Sequence, residues 1–365
     1  MHRTLKLPAL VAALMLAGCG GSESDAPATP SVAYAGTLLA GVATTAYNNP
    51  GDPEPGCADG AALGAKLRPS NHVLARTGDG QLLLSESGAC DGPRIRAIDA
   101  AANTIRTLAV GAPSGEERHE ALTSFLTPTS IAVASSGEIY IGDGDVFTGQ
   151  IPSALREVPG RGAGLWKLGT DGAVSLLAGV ALPSMQTGAG ADGRGAAASF
   201  GVNVGAMCQG ADGLLYVNDN RQLRTVTPEG LVSTVAREGT TQQVILGCGP
   251  DGSVLVRRRF ENTADDDYYD PVARQSIAKA SVVGKEIDPL AYFGRSNPSV
   301  LVQTEGSPRA LALLNLADGS TTAISAAGLE ATFPAFADAA MAGIALDSRD
   351  FVLLTPRAVL RLTRQ

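Results

Sequence analysis

The sequence predicts an all-β fold made of repeated, antiparallel, four-stranded units. Three observations lead to this prediction. Glycine is frequent, at 44 of 365 residues, whereas aromatic residues make up only 4% of the chain. Short apolar runs recur along the sequence without long stretches of helical periodicity. The sequence also matches itself over almost thirty residues when it is shifted by 133 positions, which indicates an internal repeat.

The internal match defines the repeated unit. At this shift Asp59-Gly60 aligns with Asp192-Gly193, and Glu86 aligns with Asp219. A third copy covers 120–143. Each copy contains two apolar runs joined by an Asp-Gly or Ser-Gly pair, which is a strong signal for a β-hairpin.

A second hairpin follows in each copy, as where Leu223–Val226 turns at Glu229-Gly230 into the apolar run after it. Each unit therefore has four antiparallel strands, which is the size of one β-propeller blade. Continuing the count to the C-terminus predicts a propeller domain over 36–365 with six blades. A seven-bladed ring is the alternative if 239–328 divides differently.

The last predicted unit is one strand short. We expect Thr37–Gly41 to supply the missing outer strand, because its Leu-Leu-Ala-Gly sequence matches the closing strand at Leu176–Gly179. Pairing the N-terminal strand with the final blade, within 340–365, removes two open sheet edges. The predicted fold is thus a six-bladed β-propeller closed by the N-terminal strand.

The residues at 176–235 resemble the NHL repeat, a unit of six-bladed propellers. The resemblance lies in LLAG, in the pattern DG-x-x-Y-V-x-D and in LRTVTPEGLVSTV. It is good over 39–111 and 176–238, fair over 107–179, and weak from 239 onward. It implies an architecture and says little about activity, because this fold carries unrelated functions.

Gly188, Gly190 and Gly193 have the G-x-G-x-x-G spacing of a dinucleotide-binding loop. Such a loop directly follows a strand and opens a helix, whereas this segment begins several residues after a predicted strand and leads into another. We interpret it as a crossing, by which we mean the segment that leads from the outer strand of one blade to the inner strand of the next.

The N-terminus predicts export. A basic start precedes the apolar run Pro8–Ala17, which is too short to span a bilayer. The following Leu16-Ala17-Gly18-Cys19 resembles the lipobox of bacterial lipoproteins. The resemblance implies that 1–18 is a signal peptide and that Cys19 is lipidated, with an ordinary cleaved signal peptide as the alternative. Gly20 after the cysteine implies the outer membrane, with the protein facing the periplasm or the surface.

Residues 19–35 are small, polar and proline-bearing, which is typical of a flexible tether. Removing 1–18 takes away two basic residues and changes the formal net charge from −8 to −10. An acidic chain of this kind is not expected to bind nucleic acid. The Arg257–Arg259 run is interpreted as a solvated strand edge and the acidic run Asp265–Asp270 as a solvated loop tip. We expect a monomer that contacts the membrane through its lipid.

Four cysteines besides Cys19 enter an oxidising compartment. Cys57 and Cys90 lie in loops on one face of the same predicted blade, so a disulfide between them is expected. Cys208 and Cys248 occupy equivalent positions in adjacent blades. Those two are expected either to form a second bridge or to stay as buried free thiols.

The chain offers few groups for catalysis. His72 and His119 are the only histidines after the signal peptide, and neither G-x-S-x-G nor C-x-x-C occurs. Asp59, Asp192 and Asp219 recur on one loop face and are candidate ligand-binding residues, although aspartate at such positions also caps its own turn. No cofactor and no metal are expected.

The favoured function is a non-catalytic binding scaffold in the cell envelope, presenting a loop face to a protein or a small ligand. The alternative is a metal-dependent hydrolase or lactonase of the gluconolactonase-like propeller type, whose carboxylates would bind a cation.

Overall fold

A computed structural model describes residues 30–43, 58–86, 92–111, 124–125, 127–144, 163–179, 190–201, 204–235, 239–261, 266–284, 286–333 and 335–365. The regular secondary structure of the described residues is almost entirely β-strand, arranged in mainly antiparallel sheets that follow one another along the sequence. This confirms the all-β prediction and identifies the fold as a β-propeller.

The N-terminal strand and the first two sheets cover the clearest repeats. The strands are β1 (Ser31–Gly41), then β2 (Gly60–Ala61), β3 (Pro69–Arg76), β4 (Leu82–Glu86), β5 (Arg94–Asp99) and β6 (Thr104–Val110) in the first sheet, and β7 (Pro128–Val133), β8 (Ile139–Asp143), β9 (Leu165–Leu168) and β10 (Val174–Ala178) in the second. In each sheet the four long strands pair in sequence order, and β2 adds a short fifth strand beside β6.

The third and fourth sheets repeat this pattern. Their strands are β11 (Gly193–Arg194), β12 (Val204–Gln209), β13 (Leu215–Asp219), β14 (Gln222–Val226) and β15 (Leu231–Thr234), followed by β16 (Thr240–Cys248), β17 (Val254–Phe260), β18 (Asp266–Asp270) and β19 (Gln275–Lys279). β11 pairs with β15 as β2 pairs with β6. The repeat detected in the sequence is therefore also a repeat of strand pairing.

The C-terminal part forms one eight-stranded sheet. It contains β20 (Ala291–Tyr292), β21 (Ser299–Gln303), β22 (Leu311–Asn315), β23 (Thr321–Ser325), β24 (Ala342–Ala345), β25 (Phe351–Leu354) and β26 (Ala358–Arg364), together with β1. Two short helices, α1 (Ala280–Val283) and α2 (Ala327–Thr332), flank these strands. β1 joins the four strands β20–β23 to the three strands β24–β26, because it pairs antiparallel with β26 and, through Ser31–Ala33, parallel with β23.

β1 begins at Ser31, five residues before the predicted start of the propeller at 36. The extension is held by Tyr34, which is buried and packs its ring 5.1 Å from that of Phe351. The Tyr34 hydroxyl also donates to the Arg349 carbonyl. An alternation of small and apolar residues inside a proline-bearing segment thus belongs to the sheet and not to the tether.

The sheets pack face to face, and their first strands gather around one axis. Each of these strands, β3, β7, β12, β16, β20 and β24, contacts the next in this order, and β24 also contacts β3. Apolar clusters fill the spaces between sheets. One unites Leu84 and Ile98 of the first sheet with Val352 and Leu354 of the last.

The crossings carry the residues that the repeat aligned. Leu67 and Phe200, at the ends of the two crossings 58–67 and 190–201, are both buried. Gly190 packs so closely that a β-carbon there would lie 1.7 Å from the Ser199 carbonyl oxygen. Gly193 begins β11, which is followed by a three-residue 3-10 turn at Gly195–Ala197, so this segment opens no α-helix.

Candidate functional site

The predicted aspartates of the third sheet surround one arginine. The Arg224 guanidinium, which is fully buried, donates to Asp219 at 2.6 Å and to Asp192 at 2.7 Å. Asp219 is also fully buried, and its two oxygens accept from the backbone N–H groups of Gly190 and Gly201 at 2.9 and 2.7 Å. These contacts fasten the crossing 190–201 to strands β13 and β14.

The same constellation recurs in the first sheet. The Arg96 guanidinium is buried and donates to Glu86 at 2.9 Å, to the Ala58 carbonyl at 3.1 Å and to Asp59 at 3.5 Å. Asp59 also accepts from the backbone N–H and the hydroxyl of Thr107, at 2.8 and 2.9 Å. The described contacts of Asp59, Asp192 and Asp219 are thus intramolecular, and ligand binding by these three residues stays a prediction.

The two arginine sites differ in their electrostatics. Burial raises the pKa of Glu86 above its ordinary value, and this outweighs the lowering effects of the Arg68 N–H and Arg96. For Asp192 burial also raises the pKa. Hydrogen bonds from Thr234 and the charge of Arg224 lower the pKa by more than burial raises it, so the net shift is downward.

The structure corrects the interpretation of the Arg257–Arg259 run and the acidic run as solvated segments. Arg258 and Arg259 lie opposite Asp267 and Asp266 in the pairing of β17 with β18, and both pairs are joined by ion pairs. Arg258 is fully buried, and its guanidinium carbon lies 3.6 Å from the centre of the Tyr269 ring. The two runs neutralise each other across one hairpin; Asp265 lies outside the described residues.

Cys208 and Cys248 form a disulfide with a Cα–Cα distance of 5.4 Å. It joins the first strands of the third and fourth sheets, β12 and β16. The sequence left this bridge and free thiols as alternatives. Cys19, Cys57, Cys90 and His119 lie outside the described residues, as does the side chain of His72.

A cavity of about 890 Å³ lies at the axis, and we call it the axial cavity. The inner strands β3, β12, β16, β20 and β24, which belong to four sheets, contribute to its wall, which is composed mainly of alanine, leucine, glycine and proline. Ala206 illustrates the small side chains on these strands. It is exposed although it lies on an inner strand, because it lines this cavity.

Four polar residues mark the mouth of the axial cavity: Asp288, Gln303, Arg309 and Asp338. Gln303 donates its amide N–H groups to the carbonyls of Ala337 and Ala340 at 2.6 and 3.2 Å. Its carbonyl oxygen accepts from the Arg309 guanidinium at 3.2 Å, and the Arg309 backbone N–H donates to Asp338 at 2.9 Å. The mouth is therefore built by the end of β21, the start of β22 and the segment before β24.

The mouth lies on the same side of the sheets as the crossings. Pro356, in the turn between β25 and β26, lines the cavity, and the carbonyl of its neighbour Arg357 accepts from Val42, just beyond the C-terminal end of β1. Ser31 lies at the other end of β1, about 33 Å away at 3.3 Å per residue. The chain therefore enters the domain from the side opposite the mouth.

Among the described residues, no group of three or more histidine, cysteine, aspartate or glutamate side chains is placed to hold a metal ion. None of the helices in the described ranges has the length and hydropathy needed to span a membrane.

No protein-family profile matches the chain, and no curated protein matches it in sequence. Several solved structures resemble the chain in fold. A structural-genomics protein of unknown function from Bacteroides thetaiotaomicron is 13% identical, with a TM-score of 0.52 over 91% of this chain and 76% of its own. This likeness supports the fold alone.

Two further structures are similar at lower TM-scores. An aldose sugar dehydrogenase from Streptomyces coelicolor, in its PQQ-bound form, is 14% identical, with a TM-score of 0.47 over 92% of this chain and 100% of its own. A gluconolactonase from Xanthomonas campestris is 11% identical, with a TM-score of 0.46 over 80% of this chain and 85% of its own.

Sequence reasoning missed the axial cavity and its mouth. Gln303, Arg309 and Asp338 lie where the repeat is weakest, and no motif joins them. The available signal was the run of small residues at 335–343, which precedes the last inner strand and is too apolar for an exposed loop.

Proposed function

We propose that this protein is a lipid-anchored β-propeller of the NHL type in the bacterial cell envelope, and that it binds a small ligand in its axial cavity without catalysing a reaction. The observation that carries the proposal is the cavity itself. Its volume of about 890 Å³ falls in the range of roughly 300–1,000 Å³ that is usual for small-molecule sites. Such sites combine apolar walls with a few oriented polar groups, as this cavity does.

Six blades closed by β1 form the rigid frame of the proposed site. The contact of β24 with β3 and the apolar cluster between the first and last sheets support closure into one ring. The pairing of β1 with β26 gives the last blade its fourth strand. Inner strands fixed in this way hold the cavity wall with little freedom to collapse, which reduces the ordering cost of binding.

The proposed anchor is attached to the side of the domain opposite the mouth. Lipidation of Cys19 tethers the domain through the residues before Ser31, which reach at most about 40 Å when fully extended. Because Ser31 lies on the side opposite the mouth, we infer that the tether leaves the mouth uncovered. A ligand then enters from the aqueous side, from the periplasm or from outside the cell.

Mass spectrometry of the mature N-terminus tests the anchor. Acyl groups on Cys19 are expected, and replacement of Cys19 by serine should release the protein from the membrane fraction. An unmodified N-terminus at another residue contradicts lipidation and leaves the cavity proposal standing.

Binding of the neutral apolar dye N-phenyl-1-naphthylamine tests the cavity. The purified domain should increase the dye's fluorescence with a stoichiometry of one per chain. Ala206→Trp should abolish this increase, because the indole occupies the space between the inner strands. Ala101→Trp places the same side chain in an exposed turn and should bind dye like the wild type. Equal dye binding by both variants contradicts the proposed site.

A further inference from the structure

The charges at the mouth of the axial cavity identify a class of ligand. Among the described residues Arg309 makes no ion pair, and its guanidinium has one hydrogen bond, to the neutral Gln303 amide. Other described arginines with fixed side chains, such as Arg96, Arg224 and Arg295, each have a carboxylate partner. An oriented guanidinium without a carboxylate leaves several N–H donors for an anionic group.

Gln303 fixes the direction of that guanidinium. Because both of its amide N–H groups are used by the carbonyls of Ala337 and Ala340, its oxygen must point toward Arg309. The Arg309 backbone is fixed as well, by its N–H donation to Asp338. Arg309 is an exposed residue whose backbone and guanidinium each make one of these hydrogen bonds.

The same mouth carries negative charge that Arg309 does not neutralise. Asp338 accepts from the Arg309 backbone through one oxygen, and its second oxygen makes no described hydrogen bond. Asp288 also lines the cavity, is exposed, and makes no described hydrogen bond or ion pair. One cationic and two anionic side chains therefore line the same cavity as its alanine, leucine and proline residues.

We propose that the axial cavity binds a zwitterionic molecule with an apolar body, such as a short apolar peptide with free termini. Its carboxylate pairs with Arg309, its ammonium group pairs with Asp288 and Asp338, and its apolar part fills the space below. A purely anionic ligand is disfavoured by the two aspartates, and a purely cationic one by the arginine. This inference rests on the proposed function, since it assigns the ligand of the same site.

The test uses the tripeptide Ala-Leu-Ala in four forms, measured by calorimetry on the mature domain without its lipid. The forms have free termini, an acetylated N-terminus, an amidated C-terminus, or both caps. The free form should bind most tightly, and each cap should weaken binding by about ten-fold or more, since each removes a charge-assisted pair. Arg309→Gln should weaken binding of the free form by a similar factor and leave binding of the amidated form unchanged.

Arg349→Gln serves as the control, because Arg349 is an exposed arginine beside the Ser31 end of β1, away from the mouth; it should bind all four forms like the wild type. Circular dichroism checks that both variants fold. If all four forms bind equally and Ala206→Trp abolishes that binding, the charge assignment is overturned and the cavity proposal survives. If no form binds and the apolar dye does not bind either, both are overturned.

Discussion

The crossings 58–67 and 190–201 occupy equivalent positions in the first and third sheets, yet the ion pairs that attach them to the strands differ in distance. In the third sheet the Arg224–Asp192 distance is 2.7 Å, whereas the corresponding Arg96–Asp59 distance is 3.5 Å. A further cavity of about 180 Å³, lined by Asp59, Leu67 and Arg96 among others, lies beside the first crossing.

The length of one side chain accounts for much of the difference. Asp219 is short and lies close to the backbone, so it accepts from two crossing N–H groups as well as from Arg224. The longer Glu86 at the aligned position accepts from one backbone N–H, that of Arg68, and from Arg96. The repeat therefore conserves a chemical device, a buried arginine between two acids, whose strength depends on the acid.

The largest effect is expected from Arg224→Met. The substitution leaves the Asp219 carboxylate buried without its cation, which should lower the free energy of unfolding by about 3–5 kcal/mol. Urea unfolding followed by circular dichroism measures the change. Arg221→Met removes an exposed arginine from the adjacent turn and should change stability by less than about 0.5 kcal/mol. Equal effects of the two variants would show that the Arg224 site does not fasten the crossing.

A smaller effect is expected from Arg96→Met. Because burial already raises the pKa of Glu86, this carboxyl can take up a proton when its cation is removed. The Asp59 side chain is half exposed, so water can solvate its carboxylate once Arg96 is removed. We expect a loss of about 2 kcal/mol, the value of one hydrogen bond to a charged group. The matched control is Arg106→Met, on an exposed position of β6. A loss as large as that of Arg224→Met would contradict the comparison.

The two sites should also differ in the sign of their pH dependence. Folding raises the pKa of Glu86 above 4.5, so its contribution to stability is complete below pH 4.5 and is lost as the pH rises through the raised value. Folding lowers the pKa of Asp192 below 3.8, so its contribution is complete above pH 3.8 and is lost as the pH falls through the lowered value.

Unfolding of Glu86→Gln and Asp192→Asn at a series of pH values measures these contributions against the wild type. The destabilisation by Glu86→Gln should have its full value at and below pH 4.5 and shrink as the pH rises. That by Asp192→Asn should be constant at higher pH and shrink below pH 3.8. Parallel pH profiles for the two variants would rule out the assigned electrostatic difference.

The repeat made the first and third sheets predictable, because Asp59, Asp192 and their Asp-Gly turns recur at fixed spacing. The ion pairs of Arg258 and Arg259 were not predictable, because the hairpin register decides which residues lie opposite each other. The basic run and the acidic run each carry like charges, which is typical of solvated segments. The start of β1 at Ser31 depended on the burial of Tyr34 against Phe351, a contact between opposite ends of the chain. The mouth of the cavity required Gln303, Arg309 and Asp338 to meet, which only the closed fold brings about.

The central claim is that the crossings are structural and the axial cavity binds. Hydrogen–deuterium exchange of the mature domain with and without free Ala-Leu-Ala tests it most directly, since one experiment follows both regions. We predict slower exchange on peptide addition at 286–292, 303–309 and 335–344, with unchanged exchange at 58–67 and 190–201. Protection confined to the two crossings, with none around the cavity, would contradict the claim.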